Sequence, residues 1–425
     1  MKSSHHTDRR RTVMDYTILF VDNTFYALAY SLISPATVMP LLLTQLGASN
    51  LIIGLLPALA NVGVMVTSVV VSPLVEPLQS KKRWLVCSGL IGRSLITAIG
   101  PSALILGTSN PQLLIWIVMC IWTIFNISTG AAVPAWLSIL TKCVPTDSRA
   151  RLLGWAAAAS GVLGMLAAAL TGAILTSVPF PRNFAILFVA SGIIFTSSFL
   201  PYVWIHEKPD DGAPQRRPLC EYIRAAGTLA RRQPSFIWLL VAMSSVSFAL
   251  MASAFYSTYA VRNLAATANN VAAFTGITVG ASVIASPMLG RLADAFGHKR
   301  VLIITSVSLA GAAGLAMASG SVNGIYLVLL LASIGSCGLN LSQNLLITEF
   351  AHTQQQMLMY IALSNLVIAP ARILAPLIGG AVFDSHGFNA TCWIALAAGV
   401  ASALVLALLV VDPRKKKFTD AFIDA

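Results

Sequence analysis

The sequence predicts an all-α integral membrane protein with twelve transmembrane helices in two pseudo-symmetric six-helix bundles. Three observations carry this. Of 425 residues, 57% are hydrophobic and only 10% charged, whereas a water-exposed globule needs roughly 25% charge. The apolar residues fall into blocks of about 20, the length at which a helix crosses a hydrocarbon core of ~30 Å. The basic residues gather in alternate joints between those blocks, the pattern of membrane topology.

The blocks place helices at 16–43, 51–76, 84–106, 113–140, 153–177 and 184–205, then at 236–261, 271–290, 301–319, 324–350, 358–383 and 391–411. They are continuously apolar, unlike the alternating ~10-residue strands of a membrane barrel. With the N-terminus in the cytoplasm, 23 of the 27 Lys and Arg residues fall on the cytoplasmic side. Only Arg182 and Arg262 fall on the other side, and Arg93 and Arg372 lie within spans. Both termini are then cytoplasmic, so 1–15 and 412–425 are cytoplasmic tails of a multi-pass cell-membrane protein, an inner membrane if the cell is bacterial. The first block is too long for a signal-peptide core and lacks a cleavage site.

The net charge of +12 does not form a nucleic-acid face, because its carriers sit in separate joints. The six cysteines form no CxxC pair and mostly occupy apolar blocks, so they read as small buried hydrophobes rather than metal ligands. No metal or cofactor is expected. The six histidines lie in joints and tails, and no HExxH, GxSxG or paired intramembrane aspartates occur, so an enzyme is not expected.

The longest joint, 206–235, separates spans 16–205 from spans 236–411. After a polar start, Leu219, Tyr222, Ile223, Ala226, Leu229 and Ala230 share one helical face, with Arg224, Arg231 and Arg232 beside them. This reads as an interfacial helix, or else as a solvated linker. The halves also share an order of features. Leu46–Asn50 answers Leu264–Thr267, and Ser72-Pro73 answers Ser286-Pro287. Lys82-Arg83 answers Lys299-Arg300, Gly130 answers Gly338, and Gly172 answers Gly380. An internal duplication accounts for that common order.

The joint after the eighth block reads Gly290-Arg291-Leu292-Ala293-Asp294-Ala295-Phe296-Gly297-His298-Lys299-Arg300. It resembles the signature loop of the major facilitator superfamily, Gly-x-Leu-x-Asp-Arg-x-Gly-Arg-Arg/Lys. Gly290 and Gly297 suit a tight turn and close helix approach. Asp294 suits a helix N-terminus, which favours a carboxylate. The resemblance implies that this loop is a cytoplasmic gate, that Asp294 meets the start of the fifth helix near Arg151–Leu153, and that Glu349 partners Arg291 or Arg300. The first-half copy is degenerate: its glycines are gone and Glu76 stands where Asp is usual. Val144–Arg151, including Arg149, again resembles the family, while His352–Gln356 has lost the basic residues. Proton-coupled drug antiporters of this family carry Arg where Asn126 stands, four residues before Gly130, and a Gly-Pro signature absent from Ser160–Gly164.

Three ionisable residues lie well inside spans: Asp22, Arg93 and Arg372. Each costs at least ~2.5 kcal/mol at mid-bilayer, so each faces protein or water. Asp22 lies beside Asn23, with Tyr26 and Tyr30 one and two turns on. It either carries a coupling proton or cation, or pairs structurally with Arg93, since their depths differ by only ~4 Å. If Asp22→Asn folds but loses proton-coupled movement, the first reading holds; if it fails to fold, the second gains. Arg372, between Pro370 and Pro376, either contacts an anionic or carbonyl-bearing substrate or gate, or bonds carbonyls freed by the prolines. Asn126, Ser128 and Thr129, then Ser253, Tyr256, Ser257 and Tyr259, then Asn340, Gln343 and Asn344 either line a polar midplane cavity or make interhelical hydrogen bonds. Pro35, Pro40, Pro57, Pro101, Pro134 and Pro287 also fall within the expected spans.

The resemblance implies a secondary transporter working by alternating access, monomeric, with a small-molecule substrate, the lipid bilayer as its setting and protons as a candidate coupling ion. Export of a small organic or amphipathic compound, as by an efflux antiporter, is the leading expectation. The alternatives are proton-coupled uptake of an organic anion, and a lipid-moving or non-transporting member of the same fold.

Overall fold

The computed structural model describes residues 2–144, 146–207, 233–351 and 354–411. Eleven of its helices are long and apolar enough to cross a bilayer. In order they are Asn50–Val75, Lys82–Leu106, Pro111–Cys143, Arg151–Ser177, Arg182–Trp204, Pro234–Asn263, Ala268–Phe296, His298–Ala318, Val322–Glu349, Leu363–His386 and Phe388–Leu408. They are the second to twelfth spans. The expected amphipathic linker helix lies outside the described residues.

The first span departs from expectation. It is not one helix over 16–43 but two, Lys2–Leu32 and Val38–Gln45. Pro35 sits in the break rather than within a helix. Proline has no N–H to donate and disfavours helical backbone at the residue before it. The freed groups are met locally: Ser34 O accepts from the N–H of Thr37, Val38 and Met39, and the Thr37 hydroxyl lies 2.7 Å from Ser34 Oγ. The first piece has 31 residues but turns apolar only near Tyr16, and the second has 8, so the crossing draws on both. The seventh span carries a matching irregularity, a 3-10 turn at Leu250–Ala254 between Pro234–Ala249 and Tyr256–Asn263. The second contains a π-turn at Val62–Val66. Irregular backbone survives at membrane depth only where protein or water satisfies it.

The chain forms two compact units. One takes residues up to Ala48, Leu59 onward through the sixth span, and Thr267–Gly276; the other takes Ser49–Ala58, the seventh span up to Ala266, and Ile277 onward. Inside the first unit, the third span packs on the fourth and sixth, and the first on the fifth and sixth. Inside the second, the ninth packs on the tenth and twelfth, and the seventh on the eleventh and twelfth. The same pairing recurs six spans later, as a duplication requires. Ile18, Leu85, Ile139, Phe199 and Tyr202 anchor one core; Phe236, Met243, Leu302, Leu346 and Leu406 anchor the other.

The surface is inverted relative to that of a soluble protein. Ile105, Leu166, Ile284, Met288 and Leu408 are all exposed, which water would penalise and lipid does not. Trp116, Trp155, Trp204, Trp238 and Trp393 are exposed within a few residues of span ends, the level at which Trp seats its amphipathic ring at a membrane interface.

The signature loop is mostly not a loop. The eighth span remains helical through Phe296, so Gly290 lies inside a helix and makes no turn. Open space surrounds the place where its side chain would be, so it makes no close approach either. Gly297 alone makes the turn, at φ +89° and ψ 154°. We expect Gly297→Val to destabilise the protein by about 1–3 kcal/mol, because that conformation is essentially confined to glycine. Gly290→Ala should stabilise it, by up to about 1 kcal/mol of helix propensity. Thermal unfolding in detergent checks both signs.

Candidate functional site

In the first unit, the first, third and sixth spans bring Asp22 and Arg93 together. Asp22 is 3% exposed. One carboxylate oxygen takes a short hydrogen bond from Arg93 Nη1 and lies 3.4 Å from the Ser198 hydroxyl. The other accepts from Tyr202 at 3.0 Å and faces Arg93 Nη2 at 3.5 Å. Trp136 Nε1 donates to the Tyr202 oxygen at 3.0 Å. A carboxylate has about four acceptor positions, and all four are occupied here. The guanidinium lies over the Phe199 ring at 4.0 Å and the Tyr26 ring at 5.0 Å. Its charge is therefore met by carboxylate, hydroxyl, carbonyl and ring faces.

Beside this pair the aromatic rings are nearly parallel. Tyr26 stacks on Tyr30 at 6.0 Å and on Phe125 at 6.5 Å, and Trp122 on Phe125 at 5.5 Å. Tyr26 and Tyr30 are half-buried. Asn23 and Thr129 are half-buried and spend their donors on carbonyls one turn back, at Leu19 and Phe125. Asn126 is buried, donates to Trp122 O and packs against Gly63 in the π-turn.

In the second unit, Arg372 makes a short hydrogen bond to Gln343 Oε1. Gln343 is buried, Arg372 is half-buried, and Asn340 and Asn344 on the same helix are exposed. Tyr256 is buried, and Tyr259 stacks flat on Phe388 at 3.8 Å. Both tyrosines follow the 3-10 turn of the seventh span.

The gate residues are scattered in kind. Asp294, Arg291, Glu76 and Arg300 are exposed, with the Arg300 guanidinium over the Phe296 ring at 5.1 Å. Glu349 is half-buried. Lys299 Nζ donates to Ala407 O, as Lys82 Nζ does to Ile205 O. The Arg149 side chain lies outside the described residues.

At the basic end of the first unit, Glu207 holds the joint where Glu76 was the marked acid. Its carboxylate accepts from Lys81 N, Lys82 N and Lys142 Nζ, each at 2.9 Å, and from Ser80 Oγ at 2.8 Å. Asp15 accepts from the next backbone donor, His206 N, at 3.0 Å. The N-terminus of the third span thus receives a carboxylate where its backbone donors are unsatisfied. Sequence reasoning missed Glu207, although it directly follows a span and faces a Lys-Lys-Arg joint. It also missed Ser198, Tyr202 and Trp136, whose polar atoms hide in apolar blocks. It missed Asp384 as well, which at the opposite end accepts from Asn50 and Leu51.

Burial of Glu207 favours its neutral acid, but the bonds from Lys81 N, Lys142, Lys82 N and Ser80 outweigh it and hold the pKa below the ordinary 4.5. A depressed folded pKa gives stability that is present above the unfolded value and lost as pH falls through the folded one. We expect Glu207→Gln to lower stability by about 1.5–3 kcal/mol at pH 7. Unfolding measured across pH should show that difference shrinking below pH 4.5.

The model of the Major Facilitator Superfamily matches residues 19–267 and again 237–424. No curated protein matches the sequence. Among solved structures, a nucleoside transporter superposes with a TM-score of 0.73 at 11% identity, over 92% of this chain and 99% of that one. A POT family transporter in complex with 5-aminolevulinic acid gives 0.69 at 12%, over 94% and 96%. A D-xylose–proton symporter gives 0.64 at 16%, over 95% and 98%. At these identities each likeness establishes a shared fold and nothing about cargo.

Proposed function

Because the chain belongs to the major facilitator superfamily of membrane transporters, we propose that it is a secondary active transporter working by alternating access, exporting a small organic or amphipathic compound across the cell membrane. The observation that carries the reading is the mid-span polar face of the second unit. Asn340 and Asn344 are exposed there, next to Gln343 and half-buried Arg372. Amides and a guanidinium facing lipid would be expensive, so this face borders water and meets solute. The half-buried Tyr26 and Tyr30 rings of the first unit offer a surface for an apolar or planar part of the cargo. The basic joints face the cytoplasm, which puts both termini there.

We assign Asp22 and Arg93 to structure rather than to coupling. Protonating Asp22 would leave Arg93 with a buried charge and would break bonds from Arg93 and Tyr202 together. A second reading, uptake of an organic anion with protons, is favoured by the Arg372 guanidinium. In that reading Arg372 meets the anion, and the coupling proton is carried elsewhere.

Purified protein heated with a panel of solutes should be stabilised by its cargo, by about 2.7 kcal/mol at a hundredfold excess over Kd. In proteoliposomes the stabilising solute should then show saturable counterflow. Movement of labelled phospholipid without counterflow of any solute would overturn the proposal in favour of a lipid mover.

A further inference from the structure

Asp384 is the one acid in the sequence near a joint at the end opposite the basic loops. It sits in the last turn of the eleventh span and reaches the start of the second. One carboxylate oxygen accepts from Asn50 N at 3.1 Å and Asn50 Nδ2 at 2.7 Å; the other accepts from Leu51 N at 2.9 Å. Asn50 is buried, and its own amide oxygen accepts from Arg262 Nη1 at 2.7 Å. Asn50 is therefore a relay, bonded on one side to the acid and on the other to one of two basic residues at this end. The helix start also has a local cap in Ser49, but its contact with Ile52 N is long, at 3.4 Å. The stronger cap comes from 334 residues away in sequence, and it is a carboxylate at the positive end of a helix.

Backbone fit is close at the same place. A side chain at Gly380 would come within 2.7 Å of Asn50 O and 2.9 Å of Leu51 Cα. The first turns of the second span, Ser49–Ala58, accordingly belong to the second unit, while the same helix continues from Leu59 in the first. The duplicated position is built differently. Gly172 corresponds to Gly380, so Thr176 corresponds to Asp384, and the Thr176 hydroxyl is spent on Gly172 O at 2.8 Å. The start of the eighth span is instead held in the first unit by neutral groups, Thr275 against Thr37 at 2.5 Å and Ala272 against Gly172. One arm of the duplication is ionic and the other is not.

We propose that Asp384, with Asn50 and Arg262, is a releasable helix cap. It holds the first turns of the second span in the second unit in the present state and lets them go when the transporter opens at that end. A cap of this kind suits release, because Asp384 is exposed and water can replace its bonds to the helix start. The Gly380 contact supplies the fit of the capped helix start, and the charge supplies its hold.

The test uses the full chain in nanodiscs and needs no cargo. In Asp384→Ala, amide exchange at Asn50–Ile53 should rise about tenfold, with Asp384→Asn intermediate because it keeps one acceptor oxygen, and with exchange at Lys82–Leu85 unchanged. If the alanine variant does not fold, the asparagine variant carries the measurement. The second readout is a thiol at Thr37→Cys, a buried site on the neutral arm, with the native cysteines replaced. A hydrophilic maleimide should label it about tenfold faster when Asp384 is neutralised, because releasing one arm opens that end as a whole. Unchanged exchange at Asn50–Ile53 would overturn the proposal. Faster exchange there with unchanged labelling at position 37 would also overturn it, leaving Asp384 a local cap only.

Discussion

The structure depends on one constraint: a hydrocarbon core tolerates neither an unmet charge nor an unmet backbone group. Asp22 and Arg93 show how the chain satisfies it. Two charges that would each be costly alone are placed on different helices at one depth. Ser198 and Tyr202 then complete the carboxylate's shell, and Trp136 donates to the Tyr202 oxygen behind it. The pair ties the first, third and sixth spans together, and the spans around it need carry no further charge. A buried pair of this kind adds little net stability, but losing one partner is costly because the other is stranded.

The same constraint governs the helix ends, where backbone donors run out before the chain turns. Carboxylates are rare in this sequence, and two of them are placed at helix starts. Glu207 serves the third span and Asp384 the second. Breaks inside spans obey the rule too: the interruption around Pro35 closes on Ser34 and Thr37 rather than leaving donors open. The polar groups that remain exposed at mid-span, Asn340 and Asn344 beside Arg372, then become informative. Amides exposed to lipid at that depth would be expensive, which is why the proposed solute face is placed there.

Much of the fold was legible in the sequence because apolar block length and charge placement are direct readouts of the bilayer. The second to twelfth spans lie within a few residues of the blocks that announced them. The first was misread as continuous because apolarity persists through Ile33–Thr37 while helical hydrogen bonding does not. Pro35 was the available signal, and prolines elsewhere in the spans diluted it. Helical rise put Asp22 and Arg93 at similar depth and left open whether they pair, which the contact between them answers; Arg372 stood out as a charge inside an apolar block. The role of Gly290 was misjudged because the family's motif was taken as a loop, whereas the helix runs on to Phe296. Glu207 and Asp384 were missed for another reason: each acts on a backbone far away in sequence, and no local spacing encodes that.

The charges inside the spans are of two kinds. In the proposed reading, Asp22 and Arg93 build the protein and Arg372 serves its cargo. Counterflow of the stabilising solute in proteoliposomes tests this most directly, comparing wild type with Asp22→Asn/Arg93→Gln and with Arg372→Gln at matched amounts of folded protein. We predict that the double neutralisation keeps counterflow within about threefold of wild type, while Arg372→Gln loses at least about tenfold, the cost of ~1.4 kcal/mol of binding. Loss of counterflow in the folded double variant, with Arg372→Gln unimpaired, would contradict it.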